Sequence, residues 1–158
     1  MNEFVIDTSV VVKWFSKDED DSETALHLRQ DMLDGYCTLI APDLLIYELA
    51  NVLKYNPNFT IKDVKVSMDS VYNMGIDIKR VDSLVITHAI EIAFEFNVTI
   101  YDACFMALSQ IVKKPFLAVD YKFTKRIKGY KDIIRLSAIK CSIAVPVGIG
   151  GFLFANFL

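Results

Sequence analysis

Short apolar segments alternate along the chain with longer segments in which apolar residues recur every three or four positions. The short segments predict strands at residues 4–6, 38–41, 76–81, 116–119 and 133–136. The longer segments predict helices at residues 10–15, 25–33, 42–55, 61–73, 84–96 and 102–112. Because strands and helices alternate, we expect right-handed crossovers and a mostly parallel sheet of about five strands with helices on both faces. The pattern therefore predicts a three-layer α/β fold.

Turn formers and capping residues mark the ends of several predicted helices. Gly35 and Gly75 follow the last apolar position of their helices, as expected for residues that end a helix. Pro42 is expected to open the third helix, since proline is favoured in a first helical turn. Pro57 is expected to end that helix, and Asp82 to cap the helix that follows the third strand.

Composition is that of one folded domain followed by an unusual tail. The 158 residues are 53% hydrophobic and 23% charged. We assign residues 1–138 to the domain and residues 139–158 to an apolar C-terminal tail without an evident role. Residues 141–158 carry no charge, but they are few and are interrupted by one proline and three glycines, so a membrane span is disfavoured.

Charge and cysteine content narrow the function classes. A net charge of −3 argues against sequence-independent clamping of duplex DNA, which usually needs a basic surface. The three cysteines, at positions 37, 104 and 141, have neither zinc-ligand spacing nor the pattern of a disulfide framework. The N-terminal segment does not resemble a signal peptide, and a reducing cytoplasm is the expected compartment.

Three aspartates occupy positions where a parallel sheet builds sites. Asp7 and Asp120 each follow a predicted strand, and ligands bind α/β sheets outside the carboxyl ends of the strands. Asp102 begins a helix that is apolar on nearly all sides and is therefore predicted to be central. Each aspartate, taken alone, is better explained as a helix N-cap than as part of a site.

Glu48 lies in the middle of a predicted helix among apolar neighbours. It lies either on the one exposed stripe of that helix or in a buried site, where it would be paired or bound to a metal ion. Gathered at one sheet edge, Glu48 and the three aspartates would repel one another by about 4 kcal/mol per close pair. Such a cluster persists by protonation or by binding cations. Oxygen ligands favour Mg²⁺ or Mn²⁺, and neither histidine has a partner at ligand spacing.

Four short motifs follow one another in a recognisable order. DTSV stands at residues 7–10 after the first strand, ELANVL at 48–53 in a helix, YDA at 101–103 with AL at 107–108, and Asp120 after the next strand. In this order they resemble the PIN domain family, in particular VapC-like toxins of toxin–antitoxin pairs. The resemblance covers residues 1–138 and is loosest at Asp120.

The resemblance implies a metal-dependent endoribonuclease that hydrolyses RNA phosphodiester bonds. Asp7, Glu48, Asp102 and Asp120 would form the acidic quartet that holds Mg²⁺ or Mn²⁺, and the Ser9 hydroxyl would support it. The resemblance also implies a cognate antitoxin protein and a homodimer; neither follows from composition or spacing.

A basic segment follows Asp120 and is a candidate contact for single-stranded or structured RNA. It contains Lys122, Lys125 and Arg126, with two further lysines and interleaved aromatic residues. Such groups beside a carboxylate site suit phosphate contact and base stacking, although a solvated helix face explains them comparably well. Asn51, one turn after Glu48, is a further candidate for substrate binding.

Other readings of the acids fit less well. A receiver domain needs a lysine after the fifth strand, and a haloacid dehalogenase phosphatase needs an acid at the position that Ser9 occupies. The stronger alternative is a PIN-fold module that binds RNA or protein without catalysis.

Overall fold

The protein is described by a computed structural model, in which residues 2–16, 20–119, 125, 127 and 129–139 are defined. Its strands form one five-stranded sheet in which every pairing is parallel. The strands are β1 (Asn2–Ile6), β2 (Cys37–Pro42), β3 (Asp77–Lys79), β4 (Phe116–Ala118) and β5 (Ile133–Arg135). Their order across the sheet is β3-β2-β1-β4-β5, so β1 lies at the centre.

Helices connect these strands and cover the sheet. They are α1 (Thr8–Val12), which continues into a 3-10 turn (Lys13–Phe15), α2 (Ser22–Leu33), α3 (Leu44–Tyr55), α4 (Ile61–Asn73), α5 (Ser83–Phe96) and α6 (Ile100–Val112). A short 3-10 turn, Leu136–Ala138, follows β5. From β1 to β3 the chain moves across the sheet in one direction and then returns over α5 and α6 to β4. Right-handed crossovers therefore place α5 and α6 on the face opposite α1–α4, which confirms the predicted three-layer α/β fold.

The neighbouring strands β1 and β4 and the helix α6 contribute to the centre of the core. Val5, Ile6 and all of β4 are buried, as expected for strands covered on both faces. In α6, every residue from Ala103 to Ser109 is buried, and the helix packs against β1, β2 and β4. This confirms the prediction of a central helix.

Several predicted boundaries differ from the structure, and three of these differences have an evident physical reason. Pro42 does not open a helix: it is the last residue of β2, and α3 begins at Leu44. α6 begins at Ile100, because the Thr99 side chain caps it by accepting a hydrogen bond from the Asp102 backbone N–H. β3 is limited to Asp77–Lys79, since it is an edge strand that pairs with β2 alone. Asp82 caps α5 as predicted.

Among the described residues, no single helix is long and apolar enough to cross a membrane. The helices α5 and α6 are long and apolar enough only when taken together, and the chain bends sharply between them. The predicted tail, apart from Ile139, lies outside the described residues.

Candidate active site

Asp7 lies where the central strand ends and α1 begins. Its backbone N–H donates to the Leu117 carbonyl of β4 at 3.1 Å, which anchors the residue at the carboxyl edge of the sheet. Asp7 occupies the N-cap position of α1, yet its side chain makes no capping hydrogen bond. The carboxylate instead accepts a hydrogen bond from the Ser9 hydroxyl at 2.6 Å. Helix capping therefore does not explain this aspartate.

Glu48 reaches the same edge from α3, which packs against α1. Its carboxylate accepts a hydrogen bond from the buried Thr8 hydroxyl at 2.5 Å, across a sequence separation of 40 residues. The helix buries Leu45, Leu49 and Leu53 on its core side. Glu48 is thus half-buried and tied to α1, and it does not belong to the exposed stripe of α3.

Asp102 approaches from the opposite face, in the first turn of α6. Its backbone N–H is held by Thr99 at 3.0 Å, so the cap is the threonine and the aspartate carboxylate is not used for capping. The Asp102 charge raises the pKa of both Asp7 and Glu48. Three carboxylates from three separate parts of the chain therefore form one electrostatic cluster.

Burial and mutual repulsion both disfavour charge in this cluster. Burial raises the pKa of Asp7 to about 6, and the charges of Glu48 and Asp102 add to the effect, while the Ser9 hydrogen bond opposes it. Burial also raises the pKa of Glu48, with the Thr8 hydrogen bond opposing and Asp102 adding to the rise. Carboxyl groups whose pKa values are raised by burial and by neighbouring charges cluster at functional sites.

Two residues next to the cluster, Thr8 and Asp43, were not among the candidates from sequence. Thr8 directly follows Asp7, and only the packing of α1 on α3 shows that its hydroxyl serves Glu48. Asp43 follows β2, and its charge, after burial and Glu48, raises the pKa of the buried Cys104 thiol. A signal for Asp43 did exist, since it too is an aspartate directly after a strand.

Of the remaining site residues predicted from sequence, the structure describes two, Asn51 and Lys125. Asn51 is exposed on α3, one turn after Glu48, and Lys125 is exposed. Asp120, Lys122 and Arg126 lie outside the described residues. The structure therefore brings together Asp7, Ser9, Glu48 and Asp102, and it leaves the fourth acid and most of the basic segment untested.

The donor chemistry of the cluster suits a hard divalent cation. Every charged group in it is a carboxylate, and a cation would offset the repulsion and burial that raise the pKa values. Within the described residues, no three His, Cys, Asp or Glu side chains are already arranged as a metal site. The described carboxylates fit Mg²⁺ or Mn²⁺ by their chemistry.

Solved structures share this fold at low sequence identity. VapBC2 of Rickettsia felis, bound to a DNA fragment from its promoter, matches with a TM-score of 0.63 at 12% identity, covering 84% of this chain and 98% of that one. PAE2754 of Pyrobaculum aerophilum matches with a TM-score of 0.60 at 18% identity, covering 86% and 90%. VapC20 of Mycobacterium tuberculosis, a toxin that cleaves the sarcin-ricin loop, matches with a TM-score of 0.62 at 13% identity, covering 77% and 93%.

The sequence itself gives a family assignment. No curated protein matches the chain. The sequence profile of the PIN domain matches residues 4–128, which include Asp7, Glu48, Asp102 and Asp120. With this match, and with the fold shared with VapC proteins, the chain belongs to the PIN domain family.

Proposed function

We propose that this protein is a metal-dependent endoribonuclease and the toxin of a toxin–antitoxin pair. The observation that carries the proposal is that three carboxylates converge at the carboxyl edge of a PIN domain sheet. They are Asp7 directly after β1, Glu48 in α3 and Asp102 in α6. Asp120 follows β4 in sequence, next to β1 in the sheet, and we propose it as the fourth acid.

The protein's own groups hold the carboxylates in place. The Thr8 and Ser9 hydroxyls each donate to one carboxylate, Glu48 and Asp7 respectively, and thereby restrict their rotation. The proposed ligands for Mg²⁺ or Mn²⁺ are the four acids, and the bound ion would activate the attacking water and stabilise charge on the leaving oxygen. Burial disfavours the ionised form of Asp7 when no cation is bound. A bound cation would offset this cost, and the site is therefore suited to bind one.

The proposed substrate is RNA, single-stranded or structured. Support comes from the fold shared with VapC20, which cleaves the sarcin-ricin loop. Asn51, Lys122, Lys125 and Arg126 are the proposed substrate contacts. Their amide and cationic groups suit phosphate and base recognition beside a carboxylate site.

An antitoxin protein and a homodimer are the proposed protein partners, and the cytoplasm the proposed compartment. Several structures with this fold are toxin–antitoxin complexes, including one from Klebsiella pneumoniae. α3 and α4 expose large apolar side chains that a protein partner would cover, namely Tyr55, Ile61 and Tyr72.

The test is cleavage of a panel of structured and single-stranded RNAs by the purified protein, with Mg²⁺ or Mn²⁺ against EDTA. Asp7→Asn and Asp102→Asn should each lower the rate by about 100-fold or more, because each removes a proposed ligand charge. Asp69→Asn is the matched control, since it makes the same change on the exposed surface of α4.

Cleavage that requires metal and is lost only in the two site variants would support the nuclease. No cleavage by folded protein free of antitoxin would favour a PIN-fold module that binds without catalysis. Cleavage that survives in EDTA or in both site variants would contradict the proposal directly.

A further inference from the structure

Arg80 lies at the same sheet edge as the acidic cluster, two strands away from Asp7. β1 pairs with β2 through Val5 and Ile40, and β2 pairs with β3 through Pro42 and Lys79. Continuing this register places Asp7, Pro42 and Lys79 at one level, with Arg80 one residue further out. Since neighbouring strands lie about 4.8 Å apart, the axes of β1 and β3 are about 10 Å apart.

Asp43 fixes the backbone on both sides of Arg80. The Asp43 N–H donates to the Lys79 carbonyl at 2.8 Å, and the Asp43 carboxylate accepts a hydrogen bond from the Val81 N–H at 3.1 Å. The end of β3 is thereby tied to the end of β2 at two points. An arginine held in this way projects from a defined place at the edge of the site and not from a loose loop.

The guanidinium of Arg80 is available for a ligand. Arg80 is exposed and, among the described residues, forms no ion pair, whereas the adjacent Lys79 pairs with Asp77 at 2.8 Å. The nearest carboxylate in sequence, Asp82, accepts hydrogen bonds from the Leu84 and Val85 N–H groups at 3.0 Å each and caps α5. Arg80 also lines an open cavity, together with Val81, Asp82, Ser83 and Ile86.

We infer that Arg80 binds a backbone phosphate of the RNA next to the scissile one, with the neighbouring nucleotide against the open cavity that Arg80 and Ile86 help to line. The inference rests on the proposed ribonuclease function. The acidic edge needs a cation to draw in a polyanion, and Arg80 is exposed at that edge and forms no ion pair among the described residues. Arginine also suits this role because its planar fork matches phosphate oxygens. The substrate would then cross the carboxyl ends of β1, β2 and β3.

The test uses an RNA that the wild-type protein cleaves in Mg²⁺. Arg80→Ala should raise KM about tenfold with little change in kcat, because a flanking phosphate contact contributes to binding and not to bond cleavage. The slope of log KM against log salt should fall by about 1, as expected when one phosphate contact is lost. Arg80→Lys keeps the positive charge and should therefore show a smaller rise in KM and a smaller fall in the salt slope than Arg80→Ala. Lys113→Ala is the matched control, since Lys113 is an exposed cation that follows α6 at the opposite edge of the sheet.

The outcomes separate this inference from the proposed function. If wild type and Lys113→Ala cleave alike and Arg80→Ala shows the KM and salt effects, Arg80 is a phosphate contact. If Arg80→Ala has the kinetics and salt slope of wild type, the inference is wrong while the nuclease stands. A fall in kcat alone also contradicts it, and so does a wild type that cleaves no RNA, since that removes the function on which it rests.

Discussion

Neutralising Asp7 should stabilise the metal-free protein while it abolishes cleavage. In the folded protein the pKa of Asp7 is raised to about 6 from an ordinary value of 3.8, mainly by burial. Between these two pH values the folded state binds more protons than the unfolded state. Stability therefore falls as pH rises from about 4 to about 7, and the loss is complete above the folded pKa.

The magnitude follows from the size of the shift. A difference of about two pKa units corresponds to about 3 kcal/mol at pH 7 and above, and to a small fraction of that near pH 4. Asp7→Asn keeps an oxygen that accepts the Ser9 hydrogen bond and removes the partly buried charge. We expect it to raise the free energy of unfolding by between about 1 and about 3 kcal/mol at pH 8, a large part of the stability of a typical domain.

Urea denaturation in EDTA at pH 8 and at pH 4.5 measures this difference. The protein has one tryptophan, Trp14, which is buried and donates a hydrogen bond to the Ala25 carbonyl at 2.9 Å, so its fluorescence reports unfolding. Asp69→Asn is the control and should leave the pH dependence unchanged. A variant that is no more stable than wild type at pH 8, or equally stabilised at both pH values, would refute the reasoning.

Two further predictions concern the hydroxyls around the cluster. Thr8→Val should lower kcat/KM by between about 10-fold and about 100-fold, because Glu48 loses the hydrogen bond that orients it. Thr8→Ser keeps the hydroxyl and should retain most of the activity. Steady-state assays that find equal activity in Thr8→Val and wild type would count against this role. Thr99→Ala should lower the free energy of unfolding by about 1 kcal/mol, because α6 loses its N-cap, and Thr99→Ser should not. Urea midpoints of the two variants check this, and identical midpoints would contradict it.

The sequence predicted the elements well because local physical rules decide them. Apolar periodicity placed α3, α4 and α5 with their ends correct to within two residues. Asp82, Gly35 and Gly75 mark helix ends through hydrogen bonds and backbone angles that need no distant partner. Where the prediction failed, a neighbour decided the outcome: Pro42 joined β2 because that strand continues its pairing with β3.

The sequence also supplied the candidate acids, but it left each of them with two readings. From sequence alone a helix cap was the better explanation of Asp7 and Asp102, and Glu48 was equally well explained as a solvent-facing residue. The structure separates the readings through side-chain partners: Ser9 binds Asp7, Thr99 caps α6 in place of Asp102, and Thr8 binds Glu48. None of these choices is visible from the periodicity of a single segment.

What the sequence by itself determined is the order of strands and helices and the set of acids that could form a site. What only the tertiary structure decided is which of them meet. Thr8 and Glu48 are 40 residues apart and become partners because α1 packs on α3, and the Asp102 carboxylate joins them from the opposite face through α6. Such contacts depend on strand order and helix packing, which involve the whole chain at once, whereas hydrophobic periodicity and capping depend on a few neighbouring residues.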